Sequence, residues 1–145
     1  MGKIFFGNDY QFGHCHFFAE FLIKTFKEII PNEEIVYHLI LAERLDGDDI
    51  VIDEVLVHAY LRVRDLLIDS EGVHTIEVAS LREKEWADRE KDLTPEGYDF
   101  ETWQDECDYI PEIFFNKFCS TKHIKQDVVD FLMRDDIQQL INKYR

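Results

Sequence analysis

Three side chains of this sequence have the types and the order needed for covalent chemistry at a carbonyl: the thiol of Cys15, the imidazole of His58 and the carboxyl of Asp69. Cys15 stands in Gln11-Phe12-Gly13-His14-Cys15-His16, directly ahead of an apolar run with helical spacing. A cysteine at the head of a helix has its thiolate stabilised by free backbone N–H groups and by the positive end of the helix dipole, which lowers a thiol pKa from about 8.5 to roughly 3.5–7.5. The same N–H groups, those of Cys15 and His16 first, are placed to hold an oxyanion, with the side chains of Gln11 and Asn8 as further candidates.

A thiol nucleophile needs a base within hydrogen-bond reach and a third group to orient that base. His58 lies in Val55-Leu56-Val57-His58-Ala59-Tyr60-Leu61-Arg62-Val63, a segment otherwise made of strand formers. A histidine buried there costs free energy unless something satisfies it. Asp69 closes the next apolar segment, Leu66-Leu67-Ile68, and a hairpin from about Val55 to Asp69 returns its carboxylate towards His58. There it would accept the imidazole N–H and fix the tautomer.

The elements that must position these groups follow from periodicity. Phe17, Phe18, Phe21, Leu22, Thr25, Phe26, Ile29 and Ile30 recur at spacings of three and four up to Pro31-Asn32, which predicts a helix beginning at or just after Cys15. Ile35–Ala42 and Ile50–Val63 read as strands around the turn cluster Leu45-Asp46-Gly47-Asp48-Asp49. Asp46-Gly47-Asp48-Asp49 is not a calcium loop, because position twelve from Asp46 is Val57 rather than a glutamate. Arg82–Lys91 reads as a surface helix ended by Thr94-Pro95-Glu96-Gly97, and helical patches are expected over Phe100–Cys107 and Pro111–Phe118. Ser120 or Thr121 would cap one last helix carrying Ile124, Val128, Phe131, Leu132, Ile137, Leu140 and Ile141. Trp86 and Trp103 are expected to pack in the core, as are Cys107 and Cys119. The order predicts a single α+β domain over residues 1–145: an N-terminal helix on a small antiparallel sheet, then several C-terminal helices.

With these pieces in place the chain resembles, at superfamily level, the papain-like and transglutaminase-like cysteine enzymes, the arylamine acetyltransferases included. The matching segments are Gly13-His14-Cys15-His16, His58-Ala59-Tyr60-Leu61-Arg62-Val63 and Leu67-Ile68-Asp69-Ser70-Glu71-Gly72, within the first half of the chain. The resemblance implies a papain-like core with Cys15 as nucleophile, His58 as general base and acid, and Asp69 as its orienting acid. The function implied is a hydrolase or acyltransferase acting on an amide or thioester-type bond of a peptide or other amide-containing substrate.

Charge supports a second reading. Thirty-one acidic residues against 16 basic ones give a formal charge of -15, which repels phosphate backbones and argues against direct nucleic-acid binding. Such a surface also suits a non-catalytic binding or inhibitor protein, of the phage type or a nucleic-acid mimic, that engages a basic protein partner. His14, His16, Cys15 and His58 have zinc-ligand chemistry but lack a second ligand pair at metalloprotein spacing, so neither metal nor cofactor is expected. The N-terminus lacks the pattern of a secretory signal, no segment has the length of a membrane span, and the three cysteines are odd in number and irregular in spacing. A cytoplasmic location without membrane attachment is the expectation.

Overall fold

The computed structural model describes residues 15–114 and 123–145, with the backbone alone at Cys15 and His16. Helix α1 (Cys15–Ile29) is followed by strands β1 (Ile35–Leu45), β2 (Val51–Val63), β3 (Leu66–Asp69) and β4 (Gly72–Thr75). Helix α2 (Glu77–Leu93), strand β5 (Asp99–Cys107), and helices α3 (Ile124–Leu132) and α4 (Asp135–Tyr144) complete the order. The result is the α+β architecture expected from the sequence: an N-terminal helix, a five-stranded sheet in the order β4-β3-β2-β1-β5 with antiparallel pairing throughout, and helices after it.

Alternation along the strands sorts side chains onto two faces. Ile35, Tyr37, Leu39 and Leu41 of β1, with Ala59, Leu61 and Val63 of β2 and Ile68 of β3, meet the apolar stripe of α1 in the main core. Leu22 and Phe26 of α1 are fully enclosed there, each contributing roughly 1.5–3 kcal/mol by burial. Helices α3 and α4 close the same core with Ile124, Val128, Phe131, Ile137, Leu140 and Ile141, and the rings of Phe18 and Phe131 meet edge to face at 5.4 Å. The opposite face carries a smaller cluster of Ile40, Tyr60 and Leu67, against which α2 lays Ala79; a small residue at this point lets the helix approach the sheet closely. Further along α2, Trp86 is buried as expected and meets Phe100 of β5 edge to face at 5.5 Å, whereas Trp103 lies 37% exposed.

Two irregularities shape the long β1–β2 hairpin. Ile40 pairs with His58 but Leu41 pairs with Leu56, and Arg44 pairs with Asp53 but Leu45 with Val51, so Val57 and Ile52 are extra residues of β-bulges. At the tip, Asp46 Oδ1 accepts the backbone N–H groups of Asp48 and Ile50, an arrangement that aspartate supplies readily in turns.

Several sequence expectations are corrected. Phe100–Cys107 is strand β5 rather than a helix: Phe100, Thr102 and Gln104 are half-buried in alternation with exposed Glu101, Trp103 and Asp105, a period of two that the acidic residues obscure. The Pro111–Phe118 patch contains one 3-10 turn, Glu112–Phe114, and its remainder lies outside the described residues. The last helix is two, because Arg134 takes an extended backbone (φ -65°, ψ 144°) between α3 and α4. Ser120, Thr121 and Cys119 lie outside the described residues, and α3 follows His123 without a side-chain cap. Cys107 sits in a strand, not a helix, at the fringe of the main core.

Candidate functional site

The segment pairing that brings His58 and Asp69 together is local. The β2–β3 hairpin turns at Arg64-Asp65 and pairs Leu61 with Ile68 and Arg62 with Leu67. This register carries the end of β3 back alongside the middle of β2. His58 Nε2 lies 2.8 Å from Asp69 Oδ2, with the imidazole fully buried and Asp69 4% exposed. The expected approach of His58 and Asp69 is therefore formed within the sheet.

Asp69 is held on both oxygens. Oδ1 accepts from His74 Nε2 at 2.7 Å and from the Glu71 backbone N–H at 2.9 Å. His74 comes from β4, where it pairs with Leu67 and so projects from the same face as His58 and Asp69. Tyr60, two residues beyond His58, packs its ring edge to face on the imidazole at 4.5 Å, and its hydroxyl accepts from Arg82 Nε of α2 at 2.9 Å. The site is thus a polar seam, His58–Asp69–His74 with Tyr60 and Arg82, between the sheet and α2.

Its electrostatics follow from burial and these partners. Burial alone would raise the Asp69 carboxyl, but the hydrogen bonds from His58 and His74 and the attraction of both rings outweigh it, holding the group well below the ordinary carboxylate range. Burial lowers the His58 pKa, with the Asp69 hydrogen bond opposing and the Arg82 charge adding to the lowering. The His74 pKa is raised, first by its hydrogen bond to Asp69, against the opposing effect of burial. Burial pushes the Tyr60 hydroxyl up to about 12, with Arg82 working the other way.

A neutral His58 facing an ionised carboxylate has one consistent tautomer. Its Nε2–H donates to Asp69, which leaves Nδ1 with a lone pair. That Nδ1 is buried and has no hydrogen-bond partner among the described residues. A buried acceptor left without a partner is uncommon.

The remaining sequence candidates fall at or beyond the edge of the description. Cys15 and His16 open α1 as described, without side chains, while Gln11 and Asn8 lie outside the described residues. The second turn of α1 crosses the far end of β3: Phe18, Ala19 and Leu22 with Ala59, Leu61, Ile68, Asp69 and Ser70 enclose a void of about 10 Å³, room for one water. Helix α1 packs on the Ala59 face of β2, whereas His58 projects from the Tyr60 face. Sequence reasoning missed His74, Tyr60 and Arg82. The signal available for His74 was Val73 and Thr75, β-branched residues flanking it after the turn at Ser70-Glu71.

No family model, no curated protein and no solved structure matches the chain. Among the described residues no helix is long and apolar enough to cross a membrane.

Proposed function

We propose that the chain is a cysteine-nucleophile hydrolase or acyltransferase acting on an amide or thioester-type bond, with Cys15, His58 and Asp69 as its triad. The observation that carries this reading is the state of His58: Nε2 is committed to a buried carboxylate and Nδ1 is a bare acceptor. A carboxylate orienting one nitrogen and a free lone pair on the other are two of the conditions for a general base; the third is a thiol within hydrogen-bond reach. The bulge at Val57 immediately precedes it, and bulges beside reactive groups re-aim side chains out of the regular pleat.

In the reaction the Cys15 thiol gives its proton to His58 Nδ1 and the thiolate attacks the substrate carbonyl carbon. Asp69 stabilises the imidazolium that results. Backbone N–H groups at the head of α1 receive the oxyanion, with Gln11, His16 and Asn8 as further donors. His58 returns the proton to the leaving group as the C–N or C–S bond breaks; water or an amine then attacks the acyl carbon, giving its proton to His58, which passes it to the Cys15 sulfur as the acyl C–S bond breaks.

Alkylation tests the proposal. At pH about 6.5, iodoacetamide is expected to modify Cys15 at least about tenfold faster than Cys107, whose thiol pKa is raised by burial, and His58→Ala should slow the labelling of Cys15 while leaving Cys107 unchanged. Equal, slow labelling of all three cysteines, or a Cys15 rate indifferent to His58, refutes it.

A second reading, a non-catalytic acidic protein that binds a basic partner, is favoured by the full enclosure of His58 and by its projection from the face opposite α1. On that reading the histidine–carboxylate seam is an internal brace. A partner complex that survives alkylation of Cys15 and dissociates as salt is raised would favour it over the triad.

A further inference from the structure

We infer that the cleft between the tip of the β1–β2 hairpin and the C-terminal end of α2 docks a basic segment of a partner protein. An apolar side chain of that segment seats among Ile52, Leu93 and Tyr98, and its lysine or arginine side chains meet the surrounding carboxylates. The inference is independent of the triad: His58 and Val51 pair with Ile40 and Leu45 on β1, five residues apart, which places them about 17 Å from each other at ~3.3 Å per residue.

Shape is the first observation. Arg44, Ile52, Glu90, Leu93, Thr94, Pro95, Tyr98 and Asp99 line a cleft of about 280 Å³. Its walls are braced. A side chain at Gly47 would come within 3.1 Å of the Gly97 carbonyl, so the hairpin tip abuts the α2–β5 loop, and Thr94 Oγ1 donates to the Glu90 carbonyl at the helix end. A cleft held open by such contacts is formed before any ligand arrives.

Apolar exposure is the second. Ile52 is 55% exposed, Leu93 68% and Tyr98 50%, and Ile50 and Val51 continue the exposed patch onto the tip. Single exposed aliphatic residues are ordinary, but several converging on one cleft mark an interaction surface. Ile52 owes its position to a bulge, being the residue that has no partner on β1.

Charge selects the occupant. The one cation in the lining, Arg44, is already bound by Asp53 and Glu90. Asp46, Asp48, Asp49 and Glu96 belong to the two loops beside the cleft and Asp99 opens β5, and none of them is paired with a lysine or arginine among the described residues. An acidic rim around an apolar seat repels anions and repels a second copy of this face, and it attracts a segment that interleaves basic with apolar residues.

Fluorescence anisotropy at low salt with two labelled peptides, one alternating lysine and leucine and one of lysine alone, tests this on the full chain. The alternating peptide is expected to bind at least about tenfold more tightly than oligolysine. The exposed double variant Ile52→Ser with Leu93→Ser should remove that advantage, and Asp48→Lys with Glu96→Lys should weaken both peptides. Circular dichroism checks the fold of each variant, and the charge variant decides should the serine variant unfold. Equal binding of the two peptides, binding unchanged in the variants, or no binding overturns the inference. So does a self-association, seen by sedimentation, that the serine variant abolishes, because the occupant is then a second copy.

Discussion

Removal of the Asp69 carboxylate tests whether the polar seam is built around it. In Asp69→Ala, His58 Nε2–H loses its acceptor at 2.8 Å inside a fully buried ring, and His74 loses its partner at 2.7 Å. A buried donor left unpaired costs about 1–3 kcal/mol, and breaking a buried charge pair costs about 3–5 kcal/mol. His74 is half-buried and recovers part of its loss to water, so a total of about 3–4 kcal/mol is expected. For a chain of this length that corresponds to a fall in Tm of roughly 10 °C. Asp69→Asn keeps the volume and one acceptor oxygen, so it should cost about half as much. Urea titration followed by circular dichroism at pH about 7 gives both values, with an unchanged m-value as the check on two-state behaviour. The sign with pH is fixed by the direction of the shift. A carboxyl whose folded pKa is depressed contributes stability above its unfolded value of about 3.9, and that contribution is lost as pH falls through the lower folded value. A cost below about 1 kcal/mol for Asp69→Ala at neutral pH would refute the reasoning, since His58 and His74 would then be satisfied by other means.

Two further outcomes follow from the same geometry. His74 has a raised folded pKa, so the stability lost in His74→Ala should be fully present below about pH 6.5 and fade as pH rises through the folded value; a deficit that grows with pH contradicts the pairing with Asp69. Gly72 has φ +136°, and a Cβ there would lie 2.8 Å from an Arg134 nitrogen and 2.9 Å from an Asp136 oxygen, so Gly72→Ala should destabilise by about 1–3 kcal/mol. Arg134→Ala in the same chain removes one of the two contacts and frees the Asp136 carboxylate that Arg134 holds to turn away, so it should relieve most of the steric part and leave the backbone part, which thermal melts of the double variant will separate.

The fold was legible where one physical signal dominated. The spacing of Phe18, Leu22 and Phe26 specified α1, and the β-branched runs of Ile35–Ala42 and Ile50–Val63 specified the long hairpin. It was illegible where two signals competed. In β5, Glu101, Asp105 and Glu106 dilute an alternation whose inward residues, Phe100, Thr102 and Gln104, are only half-buried at the sheet edge. The break at Arg134 carries no proline or glycine, so an apolar stripe running from Ile124 to Ile141 reads as one helix. At the site, the order of His58 and Asp69 around a hairpin anticipated their hydrogen bond, because antiparallel return is set by strand length alone. His74 was not anticipated: a four-residue strand offers too few positions for periodicity to register. Tyr60 and Arg82 meet across α2 and the sheet, a contact that depends on helix placement and leaves no trace in local sequence.

The bulge at Val57 has an unusual property as an insertion. Leu56 and His58 are both even-numbered and yet belong to opposite faces of the sheet, Leu56 joining the main core and His58 the seam. Excising Val57 would set Leu56 opposite Leu41 directly after His58 opposite Ile40, an unbroken ladder in which every inward residue of β2 keeps its side. A single-codon loss from a central strand ordinarily inverts half of it. Here the shortened strand would heal, and what would change is the local twist that sets the angle of the imidazole.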